Sequence, residues 1–152
     1  MLKIREVCHQ DLDSIKDLLI ELQETTQTQE DLRSIDFDDM LDEMRHLPSI
    51  YSNIVAVDDK KAVGFLSMIC YKTFLHRGGT ALITELIISK SCRRKGIGRM
   101  LIEKAVEIAK QNGMDELEVG TEKENNIAKT FYRNTGFNIE YVLFGKTFSD
   151  PA

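Results

Sequence analysis

Apolar positions recur with a period of two in some stretches of this chain and with helical spacing in others, and each change of period marks an element. Leu2, Ile4 and Val7 are set against Lys3, Arg5 and Glu6, which predicts a strand with one wet face. Leu12, Ile15, Leu18, Leu19 and Leu22 follow at helical offsets, with Asp11 placed to cap the helix and Asp13 in its first turn. Glu24 to Ser34 is polar and reads as a loop. The helical period resumes from Asp36 to Leu47 through Phe37, Met40, Leu41 and Met44, and Pro48 ends it. Asn53 to Val57 and Ala62 to Tyr71 are apolar runs joined by Asp58-Asp59-Lys60-Lys61, which predicts a hairpin, with Gly64 marking a bulge. Arg77-Gly78-Gly79 makes a further turn.

The pattern is densest between Thr84 and Gly113. Leu82, Ile83, Leu86, Ile87 and Ile88 form a run too apolar for a one-sided strand, so it is expected to be covered on both faces. Ile97, Met100, Leu101, Ala105, Ile108 and Ala109 line one face of a helix that Gly113 stops. Glu116 to Val119 alternates as a strand, expected parallel to Leu82–Ile88 because a helix crosses over between them. Asn125 or Asn126 caps a short helix carrying Ile127, Ala128 and Phe131, which Gly136 and Phe137 close, and Phe137 to Phe148 reads as a final strand or hairpin. The order β-α-α-β-β-β-α-β-α-β describes an α/β protein with a mixed central sheet, and 152 residues suit one domain over 1–152.

Charge is unevenly shared. The net charge is −5, yet Met1 to Ile50 carries 5 basic and 13 acidic residues and Tyr51 to Ala152 carries 15 basic and 12 acidic. A basic half suits an anionic ligand and an acidic half suits a cationic one, while a solvated acidic helix face fits the same count. An acidic balance with so small a basic cluster argues against nucleic acid. Cys8, Cys70 and Cys92 are scattered and odd in number, which argues for a reducing compartment and no disulfide framework. Neither C-x-x-C nor H-x-x-x-H occurs, so no metal site is expected, and Cys92, lacking a neighbouring His in sequence, reads as a turn residue. No apolar run approaches membrane-spanning length and the N-terminus lacks a signal-peptide core, so a cytoplasmic protein with no membrane partner is expected.

Candidate chemistry gathers where the apolar strand turns into the long helix. Arg93-Arg94-Lys95-Gly96-Ile97-Gly98 places two glycines and three cations at a helix N-terminus, so backbone N–H groups can approach an anion, and the combination suits a pyrophosphate better than a single carboxylate. A tight turn with a solvated basic patch is the plainer alternative. The Walker pattern is missing and no third glycine follows at the dinucleotide spacing, so the ligand is another phosphate-bearing molecule. Glu85 is the one carboxylate in the apolar strand and is a candidate base, acting directly or through water, or else a structural residue. Strand alternation points it away from Leu86 and Ile88 unless a bulge intervenes.

These residues carry a resemblance. The R-R-K-G-I-G stretch resembles the acyl-CoA signature [QR]-x-x-G-x-[GA] of the GNAT superfamily of acetyl-CoA dependent N-acetyltransferases, with Arg93, Gly96 and Gly98 on the fixed positions. Asn125, Ala128, Phe131, Tyr132, Gly136 and Phe137 are similar to the N-x-x-A-x-x-[LF]-Y-x-x-x-G-F segment of that superfamily, and the opening I-R-E-V-x-x-x-D-L-D is similar to its first strand and helix. The resemblance implies acetyl-CoA as co-substrate, no metal, and direct attack of a primary amine in a ternary complex. It implies a sheet that splays beside the strand ending at Ile88, where Leu86 and Ile88 offer backbone groups to pantetheine and the Ile88 N–H stabilises an oxyanion. Arg93, Arg94, Lys95, Gly96, Ile97, Gly98, Arg99 and Asn125 fall on its cofactor-binding positions. Tyr132 falls on its general-acid tyrosine and also lines the cofactor site. Acceptor specificity would reside in the first two helices and the loops around Phe74 and Phe144, where no motif can be decoded. The acidic half favours a small cationic amine, with a protein acetyltransferase (N-terminal or lysine) or a non-catalytic acyl-CoA binding module as alternatives; a homodimer rests on the resemblance alone.

Overall fold

The computed structural model describes residues 1–26 and 30–148. Its strands are β1 (Lys3–Glu6), β2 (Tyr51–Asp58), β3 (Lys61–Tyr71), β4 (Thr80–Ile88) and β5 (Glu116–Val119), and its helices are α1 (Leu12–Gln23), α2 (Phe37–Arg45), α3 (Ile97–Gln111) and α4 (Asn126–Asn134). The strands lie in one sheet in sequence order; β1 to β4 pair antiparallel and β5 joins β4 in parallel, as the helical crossover requires. The mixed α/β architecture expected from the sequence is the one observed.

Each face of the sheet has its own core. Ile97, Leu101, Ile102, Ala105 and Ala109 of α3 pack with Ile54, Leu66, Met68 and Ile83 on one face. Leu12, Ile15 and Leu18 of α1 and Leu41 of α2 pack with Val55, Phe65 and Ile87 on the other. Strand β4 contributes to both, which is why its sequence is a near-continuous apolar run. Helix α3 lies close against β3: a Cβ at Gly64 would sit 2.9 Å from Ile88 Cδ1 and 3.1 Å from Leu101 Cδ1. The bulge expected at Gly64 falls one residue earlier, since Ala56 pairs with Gly64 and Val57 with Ala62, leaving Val63 as the extra residue.

Three details depart from the expectations. Asp11 makes no side-chain cap of α1. Its buried carboxylate instead accepts from Arg5 Nη1 at 2.7 Å, Arg5 Nη2 at 3.0 Å and the Cys8 amide at 2.8 Å, tying β1 to the turn before α1. Burial alone would push this carboxyl up; the Arg5 and Cys8 bonds outweigh it and hold it below the usual range. Of the loop expected over Glu24 to Ser34, residues 27–29 lie outside the described residues, and Leu32–Ser34 forms a 3-10 turn. Phe137 to Phe148 forms no strand, and Val142, Leu143, Phe144 and Phe148 are exposed. A strand requires a ladder partner as well as β-forming residues, and no strand of this sheet pairs with that segment. No helix among the described residues is long and apolar enough to cross a membrane.

Helix α2 is fastened by His9, whose Nδ1 lies 2.5 Å from Asp38 Oδ1 and whose Nε2 lies 2.9 Å from Asp42 Oδ1. The Asp38 bond raises the His9 pKa, desolvation opposes it, and the Asp42 bond adds to the rise. A histidine raised on folding stabilises in full below its unfolded value of about 6.5, and the contribution is lost as pH rises through the folded value. The excess stability of the parent protein over His9→Gln, read from denaturant midpoints across a pH series, is therefore expected to be greatest at about pH 5 and to fall away at alkaline pH.

Candidate functional site

Strand β4 leaves its parallel neighbour halfway along. Pairing with β5 covers Thr80 to Ile83, and from Thr84 to Ile88 no strand among the described residues pairs with β4 on that side, although β3 continues to pair with it as far as Ile88. A register shift falls at the same point: Ser67 pairs with Glu85 and Met68 with Ile83, so Thr84 is the extra residue of a bulge. One inserted residue reverses the alternation. Ile83 belongs to the α3 face, Leu86 and Ile88 pack against that face, and Ile87 belongs to the α1 and α2 face together with Glu85, which borders the cavity there.

The chain then turns into α3 around the basic cluster. Gly96 is the N-cap at φ 81°, a left-handed conformation that suits glycine, and nothing lies within 4 Å of the position its Cβ would take. The Met100 amide is the first to bond back into the helix, to Gly96 O at 3.1 Å, so the amides of Ile97, Gly98 and Arg99 point out of the helix end without a helical acceptor. Arg94 and Lys95 are exposed beside them and make no ion pair among the described residues. Two other cations are already engaged. Arg93 Nε donates to Ile88 O at 3.2 Å, clasping the turn to the end of β4, and Arg99 Nη2 donates to Asn134 O at 3.1 Å at the end of α4. Gly98 also has a packing reason to be glycine: a Cβ there would lie 2.9 Å from Phe131 Cζ.

Helix α4 brings the second motif to this face. Asn125 Oδ1 accepts from the Ala128 amide at 3.0 Å, so its side chain caps the helix. Tyr132 lies between Phe131 and Phe137, tilted against the first and edge-on to the second with ring centroids 5.6 Å away in each case, and packs on the α3 core. Its hydroxyl has no hydrogen-bond partner among the described residues, and burial pushes its pKa up. The basic turn, Leu86, Ile88 and Tyr132 are thus gathered on one face, while Glu85 lies on the other.

On that other face a cavity of about 360 Å³ lies between α1, α2 and the sheet. Side chains of Leu19, Leu22, Phe37, Met40, Leu41 and Met44 line much of it. A polar row crosses the strands beneath them: Ser67 Oγ donates to Asn53 Oδ1 at 2.7 Å, and Thr84 Oγ1 lies 2.6 Å from Glu85 Oε2 and 3.2 Å from Ser67 O. Asn53 and Ser67 escaped the sequence reading, and their only signal there was a polar residue interrupting an apolar strand. Among the described residues no cluster of three or more His, Cys, Asp or Glu is arranged to hold a metal ion.

Comparison with known proteins bears on this arrangement. The model of the acetyltransferase (GNAT) family matches residues 12–137. An uncharacterized N-acetyltransferase of Methanocaldococcus jannaschii is 35% identical over 86 residues, 56% of this chain and 38% of the relative. N-alpha-acetyltransferase 30 of Schizosaccharomyces pombe is 34% identical over 87 residues, 56% of each chain. The match therefore spans roughly 38 to 56% of the length of these curated relatives. Among solved structures, glucosamine-6-phosphate N-acetyltransferase from Arabidopsis thaliana superposes with a TM-score of 0.81 at 22% identity, covering 98% of this chain and 99% of its own. An aminoglycoside acetyltransferase from an uncultured soil metagenomic sample, in complex with sisomicin, gives 0.79 at 24% identity with 97% of each chain covered. At these identities the likeness shows the fold.

The close approach of Gly98 to Phe131 has a measurable consequence. Gly98→Val should lower stability by about 1–3 kcal/mol through overpacking. In a double-mutant cycle with Phe131→Leu the two losses should fall short of additive by at least about 0.5 kcal/mol. Additive losses, measured by denaturant unfolding, would show that the ring does not set the size of residue 98.

Proposed function

The chain belongs to the acetyltransferase (GNAT) family, and from that premise we propose that it transfers the acetyl group of acetyl-CoA to a primary amine by direct attack in a ternary complex. The observation that carries this reading is the parting of β4 from β5 together with the unbonded amides of α3, which leaves main-chain donors free on two consecutive elements. The residues fit an acyl-CoA: open space at Gly96, exposed Arg94 and Lys95, and the Ile97 to Arg99 amides would hold its pyrophosphate. Leu86 and Ile88 would present main-chain groups to its pantetheine arm. Arg93 and Asn125 act one step back, through the Ile88 carbonyl and the α4 cap. When bound, acetyl-CoA supplies an activated thioester.

The chain's own groups divide the remaining work. A main-chain N–H of β4 on the side that β5 does not pair polarises the carbonyl, with Ile88 the proposed donor. Tyr132 holds at its Oη the proton that a departing thiolate needs, and burial keeps that phenol protonated. Glu85 Oε2, held by Thr84, receives the proton of the incoming ammonium directly or through water. The relatives' names favour small amino compounds, and the Schizosaccharomyces pombe relative favours a second reading, a protein N-terminal amine; both belong in an acceptor panel.

Tyr132→Phe tests the acid. Phenylalanine keeps the ring contacts to Phe131 and Phe137, so fold and CoA affinity should be nearly unchanged while kcat falls roughly 10²-fold or more. With its pKa raised above the ordinary value of 10.0, the tyrosine should impose no alkaline loss on kcat below that pH. Parent-like kcat with chemistry rate-limiting, or a change confined to KM, would remove Tyr132 from the acid role.

A further inference from the structure

The acceptor class can be read from the cavity on the α1 and α2 face. Gln23, Thr26 and Glu30 stand at one part of its lining, but the wall of Leu19, Leu22, Phe37, Met40, Leu41 and Met44 offers no hydrogen bonds to a polyol, so burying sugar hydroxyls against these side chains would leave them unsatisfied. The polar row of Asn53, Ser67, Thr84 and Glu85 lies at the β4 bulge, where the strand parts from β5, so charge and apolar wall meet in one cavity at the proposed point of transfer. Of the acidic residues of the N-terminal half, Glu30 also borders the cavity, while several others are held elsewhere. Asp11 is taken by Arg5, Asp38 and Asp42 by His9, Glu24 by Lys90, and Asp36 by the cap of α2. At the roughly 30 Å³ that a water-sized group occupies in a liquid, 360 Å³ accommodates about a dozen non-hydrogen atoms.

We propose that the acceptor is a primary amine carried on an apolar body, an alkyl or arylalkyl amine of about a dozen non-hydrogen atoms, seated against α1 and α2 with its nitrogen at Glu85. This deepens the acetyl-transfer reading and rests on it for the chemistry, though the ligand class is open to direct binding. Glu85 pairs with the ammonium and Met40 and Met44 adapt to the body, as thioether side chains do.

Two measurements separate the claims. Calorimetry of a primary alkylamine series from butylamine to dodecylamine, with 4-phenylbutylamine, spermidine and an aminoglycoside for comparison, decides the ligand class. Affinity should rise about three- to fourfold per added methylene until the cavity fills, with a negative heat-capacity change, and Glu85→Gln should weaken the amines about tenfold or more but not alcohols of equal length. Leu19→Phe should shorten the preferred chain; the parent series stands by itself if that variant fails to fold. Equal affinity along the series, or tighter binding of spermidine or the aminoglycoside, overturns the proposal. Thiol release with the same panel plus a peptide decides the transfer. Turnover only of polar amines or of the peptide keeps the transfer reading and overturns the apolar acceptor. Chain-length-dependent binding with no thiol release supports the ligand class and overturns the transfer.

Discussion

One residue more in β4 than β3 can pair governs the arrangement of this molecule. Thr84 is that residue, and the strand that precedes it serves a continuous parallel ladder while the strand that follows has a partner on one side only. The bulge turns Glu85 toward the α1 and α2 cavity and keeps Leu86 and Ile88 toward α3, so a single backbone irregularity sends neighbouring side chains of one strand to opposite faces. With regular alternation Glu85 would follow Ile83 onto the α3 core, where a carboxylate is costly to bury.

The close packing of α3 depends on the same strand. Gly64 lets Ile88 and Leu101 meet over β3, and Gly98 admits the Phe131 ring, so the helix with the unbonded N-terminal amides is held from beneath by β3 and β4 and from the side by α4. Arg93 and Arg99 add ties at both edges of that end, one to Ile88 O and one to Asn134 O. Two of the cations in the basic cluster thus tie the turn to its neighbours, and Arg94 and Lys95 are left exposed beside the helix end. Backbone donors held rigidly in this way need little reorganisation when an anion arrives.

Part of the charge in the N-terminal half goes into ties between elements. Its carboxylates anchor β1 to α1 through Arg5, α2 to the first turn through His9, and α1 to the end of β4 through Lys90. The walls of the α1 and α2 cavity are therefore set in place by ion pairs at its periphery while its lining is left largely apolar. A count of acidic residues cannot distinguish these roles, because it carries no information about partners.

The elements themselves were readable from period and punctuation. Both α1 and α3 fall where their apolar positions recur, Asn125 caps α4, and the parallel placement of β5 follows from the crossover helix. The basic turn with Gly96 and the motif at Tyr132 were readable too, since spacing along one chain segment suffices to define them. Other features needed the folded molecule. Asp11 stands where a helix cap belongs, yet its partner is Arg5 from the preceding strand. Phe137 to Phe148 has strand-forming residues and no strand, because a ladder is made by two segments. The bulge at Thr84, the reach of Phe131 to Gly98 and the row from Asn53 through Ser67 to Glu85 join residues far apart in sequence. Local preferences are properties of a segment and can be read along the chain; register, close approach and the sharing of hydrogen bonds are properties of pairs of segments, and only the tertiary structure decides them.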